Sequence, residues 1–152
     1  MTDESPHLND FYVSTDKKLL NVPWLLAELQ KTYWGGWYTL PVLDAAIIHS
    51  LCFGLYHRTY AEDENAPVGC VDSQVGFARV VTDYATYAWV CDVLVADKYR
   101  HKGLGKFLMN VVLGHPDVRP RSCMLTTKDA HTMYEAFGFA RFEAMKRQGG
   151  QA

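Results

Sequence analysis

Apolar residues Leu104, Phe107, Leu108, Val111 and Val112 recur at the i, i+3, i+4, i+7, i+8 spacing of an amphipathic helix. They follow an apolar run, Thr86–Ala96, that reads as a strand and holds one charge, Asp92. Between the two lie a short polar turn, Asp97–Lys102, and Gly103-Leu104-Gly105. The pattern is therefore strand, glycine-bearing turn, helix.

Upstream, Phe11–Ser14 is a short strand candidate. Asn21 can cap a first helix with Pro23 in its opening turn and Val22, Leu25, Leu26 and Leu29 on one stripe. Gly35-Gly36 stops it, and a second helix starts near Pro41 with Leu43, Ala46 and Ile47 along one side. Leu51–Tyr60 reads as a strand, Ala61–Pro67 as a loop, and Val68–Val71 and Gln74–Thr82 as strands. Gln74–Thr82 and Thr86–Ala96 form an antiparallel hairpin joined at Asp83–Ala85. Downstream, Ser122–Thr126 is a further strand. Asp129 can cap a last helix carrying Ala130, Met133, Tyr134 and Phe137 on one face, Gly138 ends it, and Phe139–Ala144 reads as a final strand. Thr86–Ala96, its helix and Ser122–Thr126 make a strand–helix–strand crossover, whose strands should run parallel. The expected fold is α+β, a mixed and mostly antiparallel sheet with helices on both faces.

The chain has 152 residues, and 49% of them are hydrophobic, enough for one domain with a proper core. Residues 1–10 read as a flexible leader, 11–145 as the single domain and 146–152 as a flexible tail. A formal charge of −2 gives no overall basic footprint and speaks against nucleic-acid binding. The four cysteines, Cys52, Cys70, Cys91 and Cys123, show no metal-ligand or disulfide spacing and are expected as free thiols. No apolar run approaches a membrane span, and the polar start is no signal peptide, so a cytoplasmic protein is expected.

Positive charge is concentrated locally, in Lys98, Arg100, His101, Lys102 and Lys106 around the glycine turn. The first backbone N–H groups of a helix lack intrahelical partners, and the helix dipole adds positive potential there. Glycines let a ligand approach that backbone closely. The turn suits a phosphate-bearing ligand such as a pyrophosphate. Its pattern, Arg100-x-x-Gly103-x-Gly105, is neither a P-loop nor the dinucleotide fingerprint.

This stretch resembles the acetyl-coenzyme-A motif of the GNAT N-acetyltransferase superfamily. A second segment, Ala130-x-x-Met133-Tyr134-x-x-x-Gly138-Phe139, is similar to that family's second signature. The resemblance implies acetyl-CoA as cofactor, its pyrophosphate held by Arg100, His101, Lys102, Gly103, Leu104, Gly105 and Lys106. It implies that backbone groups of Val93, Leu94 and Val95 hold the pantetheine arm, and that Tyr134 faces the coenzyme sulfur. There are two departures. Thr127 stands where many members carry Asn, and the 13 residues after Phe139 are few, leaving one wall of the acceptor site for a second subunit in a homodimer.

The activity implied is acetyl transfer to a primary amine of a small molecule, amino-acid-like if Arg79 holds a carboxylate. An amine at neutral pH is mostly ammonium and must lose a proton, so a base or a water is required. Asp92 is the candidate base, against the plainer reading that it pairs with Arg79. Tyr134 is the candidate acid to the coenzyme thiolate, against a place in the core. The family's acceptor position makes Tyr33, Trp34 and Arg79 the candidate substrate residues. Transfer to a protein or peptide amine, and a non-catalytic acyl-CoA sensor, are the alternatives.

Overall fold

The computed structural model describes residues 7–58 and 72–149. Strands β1 (Phe11–Ser14), β2 (Leu51–His57), β3 (Ser73–Thr82), β4 (Tyr87–Val95) and β5 (Ser122–Met124) form one sheet in the order β1-β2-β3-β4-β5. All neighbours are antiparallel except β4 and β5, which are parallel, as a helical crossover requires. Helices α1 (Val22–Gln30) and α2 (Leu40–Ile48) precede β2, α3 (Leu104–Gly114) joins β4 to β5, and α4 (His131–Glu135) follows β5.

Each helix forms where its sequence allows. The Asn21 side chain accepts from the Trp24 N–H at 3.1 Å, and Pro23 occupies the first turn of α1. The α1 and α2 stripes, Leu25, Leu29, Leu43 and Ile47, pack on Cys52, Phe77 and Leu94 on one face of the sheet. On the other face α3 places Leu104, Leu108, Met109 and Val112 against Phe53, Leu55, Val80 and Val90. Helices thus cover both faces. No helix among the described residues is long and apolar enough to cross a membrane.

Two irregularities in β4 shape the site. Phe77 pairs with Leu94 but Arg79 pairs with Cys91, so β4 carries an extra residue, and there Asp92 adopts a left-handed φ of 53°. Ala88 and Val90 before this bulge belong to the α3-side core, whereas Leu94 after it belongs to the α1/α2 side. Pairing with β5 covers only Tyr87, Ala88 and Trp89. From Val90 to Val95, β4 therefore has no strand partner on that side among the described residues, and a gap opens towards the segment after β5.

Three sequence expectations are corrected. Residues 139–149 carry no strand: Gly138 is left-handed at φ 87°, and the Phe139 N–H turns back to the Tyr134 carbonyl at 3.2 Å. Strand β5 ends at Met124 rather than Thr126. The cap of α4 is not Asp129; the Thr127 hydroxyl accepts from the Ala130 N–H at 3.0 Å, one turn earlier. The expected loop Ala61–Pro67, the strand Val68–Val71 and Cys70 lie outside the described residues, as do the ends of the leader and tail. Cys52, Cys91 and Cys123 are free thiols.

Candidate active site

The gap beside β4 widens into a cleft of about 1410 Å³. One wall is β4 from Trp89 to Val95, and the other is the segment Leu125–Ala130 with Met133 and Tyr134 of α4. The glycine turn and the link between α1 and α2, carrying Tyr33, Trp34, Trp37 and Tyr38, complete its lining.

At the glycine turn, His101 and Gly103 are both left-handed, at φ 62° and 78°. The first bond within α3 runs from the Phe107 N–H to the Gly103 carbonyl at 3.0 Å, so the donors before Phe107 precede the helical ladder. A Cβ built on Gly105 would meet only Met133 Sδ, at 3.7 Å, and one on Gly103 would meet nothing within 4 Å. The turn is open to a ligand. Arg100, His101, Gly103, Leu104, Gly105 and Lys106 line the cleft, whereas Lys102 does not. The Arg100 Nε donates to the Val95 carbonyl at 3.2 Å and faces Asp97 at 3.3 Å, which ties the turn to the end of β4.

Tyr134 lies on the cleft wall with its ring edge-on to Phe139 at 5.9 Å. Its hydroxyl bonds to no described residue, although the side chain is buried. Burial, aided by Tyr33 and Asp129, pushes its pKa up to about 12. At neutral pH it is a proton donor.

Asp92 sits in a closed polar group. Its Oδ2 accepts from Arg79 Nε at 2.8 Å and from the Tyr38 hydroxyl at 2.6 Å. Arg79 also donates to the Tyr38 oxygen and to Ser50 Oγ, both at 3.0 Å. Burial works against the Arg79 charge, but Cys91, Asp92 and Tyr38 together raise its pKa above the ordinary value. Burial, then the Asp92 carboxylate, raises Tyr38 in turn, so it remains a donor. Arg79, expected to meet a substrate carboxylate, thus meets Asp92. Beside them the Cys91 thiol is pushed up to about 12 by burial, more than Arg79 draws it down. It is no thiolate near neutrality.

Val93, Leu94 and Val95 line the cleft, and so do Tyr33, Trp34 and Arg79. Tyr38, Ser50 and Cys91 were not singled out as site residues. Tyr38 is one of four aromatics in six positions, the only signal that pointed to it.

The model of the acetyltransferase (GNAT) domain matches residues 56–141. The chain belongs to the GNAT acetyltransferase family. A protein of Gibberella zeae assigned to the acetyltransferases is 30% identical, the match covering 90% of this chain and 85% of that one. A GNAT-family structure from Xanthomonas campestris pv. campestris is 35% identical with a TM-score of 0.78, covering 95% of this chain and 94% of the other. A GNAT structure from Elizabethkingia anophelis, with acetyl-CoA bound, shares the fold at a TM-score of 0.59 and 13% identity, covering 89% and 79% of the chains. As a GNAT acetyltransferase this chain is an acyltransferase enzyme.

Proposed function

We propose that this enzyme moves the acetyl group of acetyl-CoA to the primary amine of a small molecule by direct attack. The observation that carries the reading is the cleft itself. It brings together an open helix N-terminus, an unpaired strand edge, an unbonded tyrosine hydroxyl and a group of aromatic side chains. The bound acetyl-CoA of the Elizabethkingia anophelis neighbour, which shares this fold, supports the choice of donor.

When bound, acetyl-CoA supplies a thioester carbonyl that amines can attack. The N–H groups of the Gly103–Lys106 turn, with Arg100 and His101, hold the pyrophosphate. The unpaired backbone of Val93–Val95 holds the pantetheine amides, and one of its N–H groups stabilises developing negative charge on the carbonyl oxygen. Tyr134 gives its proton to the departing sulfur and regains one from solvent. Asp92 already serves two donors through Oδ2, so a water carries the amine proton away and Asp92 holds Arg79 and Tyr38 in place. A protonated Cys91 supports direct transfer over an acetyl-cysteine.

The test is acetyl-CoA binding by calorimetry to wild type and to Gly105→Glu, followed by thiol release with amines. Wild-type binding that vanishes in a folded Gly105→Glu, with amine-dependent thiol release, is expected. No binding to wild type overturns the reading.

A further inference from the structure

We infer that the acceptor is an aryl or arylalkyl primary amine without an anionic group, its ring held among Trp34, Trp37 and Trp89. This rests on the acetyl-transfer reading and specifies the substrate class of the same cleft.

Five large side chains are among those that line the cleft: Tyr33, Trp34, Trp37, Val81 and Trp89. They belong to neither core cluster. Trp37 is 64% exposed and Tyr33 58%, so capping of the core does not account for them. Val81 and Trp89 are direct cross-strand partners on β3 and β4, which places them side by side. The rings are also fixed in place. The Trp37 indole N–H donates to the Trp34 carbonyl at 2.7 Å, and its ring stacks on Tyr38 at 4.5 Å. Tyr33 stands edge-on to Trp34 at 4.9 Å, and its hydroxyl accepts from the Lys128 N–H at 3.1 Å. Exposed aromatics held this firmly form a surface ready for a flat apolar group.

The charges near them decide against an anionic acceptor. The charge of Arg79 is matched by Asp92, and three of its five N–H donors are taken by Asp92, Ser50 and Tyr38. The Lys128 ammonium lies over the Tyr33 ring, 5.4 Å from its centre. Arg100, His101 and Lys106 belong to the glycine turn. Lys146, also on the cleft, stands on the exposed stretch after Phe139. Among the described residues no buried cation besides Arg79 lines the cleft to hold a carboxylate, whereas aromatic faces attract an incoming ammonium before it is deprotonated.

The experiment compares matched amines by thiol release: tryptamine against tryptophan, tyramine against tyrosine, and hexylamine as the aliphatic control. Acetyl-CoA binding is measured alongside. The expected result is kcat/KM for tryptamine and tyramine roughly tenfold above hexylamine, since a well-placed aromatic contact is worth about that factor, and above tryptophan and tyrosine, whose carboxylate must be desolvated without a partner. Trp37→Ala and Trp89→Ala should erase the preference over hexylamine while leaving acetyl-CoA affinity unchanged. If acetyl-CoA binds but the aryl amines react no better than the amino acids or hexylamine, or not at all, the substrate class is overturned and the donor reading stands. If the tryptophan variants keep the preference, the proposed ring site is overturned. Absence of acetyl-CoA binding to wild type overturns the acetyl-transfer reading and this inference with it.

Discussion

Asp92→Asn separates a structural carboxylate from a catalytic one. Asparagine keeps the shape of the side chain and tolerates the left-handed φ of 53° about as well as aspartate, so the backbone is left alone. What changes is charge. The side chains of Arg79 and Asp92 are only 14% and 5% exposed, and the variant leaves the guanidinium without its anion. Removing one member of a buried pair costs about 3–5 kcal/mol. The amide oxygen can still accept one of the two bonds that Oδ2 accepts, which favours the lower end, about 3 kcal/mol. For a domain of this size that lowers Tm by roughly 6–12 °C. Arg79→Met should also destabilise, and the double variant should lose clearly less than the sum, because no unpaired charge remains. Urea unfolding followed by tryptophan fluorescence measures all three. With a water as base, Asp92→Asn keeps most of its kcat well below its Tm. A variant that melts like wild type but loses kcat a hundredfold would refute this reasoning and make Asp92 the base.

Tyr134→Phe should lower kcat by about 10²–10⁴ and leave the acetyl-CoA affinity within twofold. Because Tyr134 sits at about 12, it keeps its proton throughout the working range; the rate should rise as the amine deprotonates and not turn down below pH 10. A downturn between pH 8 and 9 would exclude it as the acid. Gly103→Ala places a side chain at φ 78° and should cost about 1–2 kcal/mol in urea unfolding. Gly105→Ala, whose Cβ meets only Met133 at 3.7 Å, should preserve stability while weakening acetyl-CoA binding in calorimetry. Gly54→Ala drives a methyl into the Tyr56 ring, with a ring carbon 2.6 Å away, and should cost about 1–3 kcal/mol by the same unfolding assay.

The three longer helices were legible because each shows one apolar stripe, with a proline in the first turn of α1 and α2 and the glycine turn before α3. The β3–β4 hairpin was legible from the polar break at Asp83–Ala85, where the Asp83 carboxylate accepts from Ala85, Thr86 and Tyr87. The bulge was not. Residues Val90–Val95 are apolar apart from Asp92, and a strand buried on both faces shows no alternation from which a change of phase could be read. The Phe139–Ala144 stretch has strand-like composition, but β5 offers a ladder of three residues, and Gly138 turns the chain aside. Tyr33 and Trp34 could be found from their cluster of aromatics. Val81 and Trp89 could not, because their adjacency to that cluster exists only once β3 and β4 pair. The Arg79–Asp92 pair was visible as an alternative, since a hairpin brings those positions together.

The bulge links the backbone to the proposed chemistry. Under regular alternation Asp92 and Leu94 would share the α3 face with Ala88 and Val90. The extra residue turns both to the α1/α2 side, where Leu94 fills that core and Asp92 meets Tyr38 and Arg79. Tyr38, Arg79 and Asp92 thereby all stand on the lining of the cleft. Few residues meet both demands of this position. Glycine, asparagine and aspartate take a left-handed φ readily, and of these only aspartate also neutralises Arg79. Stability should therefore fall from Asp92 to Asn, which keeps the backbone and one acceptor, and further to Gly, which keeps the backbone alone. Ala should fall further still, because it loses the acceptor and adds about 1–2 kcal/mol of left-handed strain relative to Gly. An Ala variant more stable than Gly would mean that the backbone conformation at residue 92, and with it the change of face, is not what holds the polar group in place.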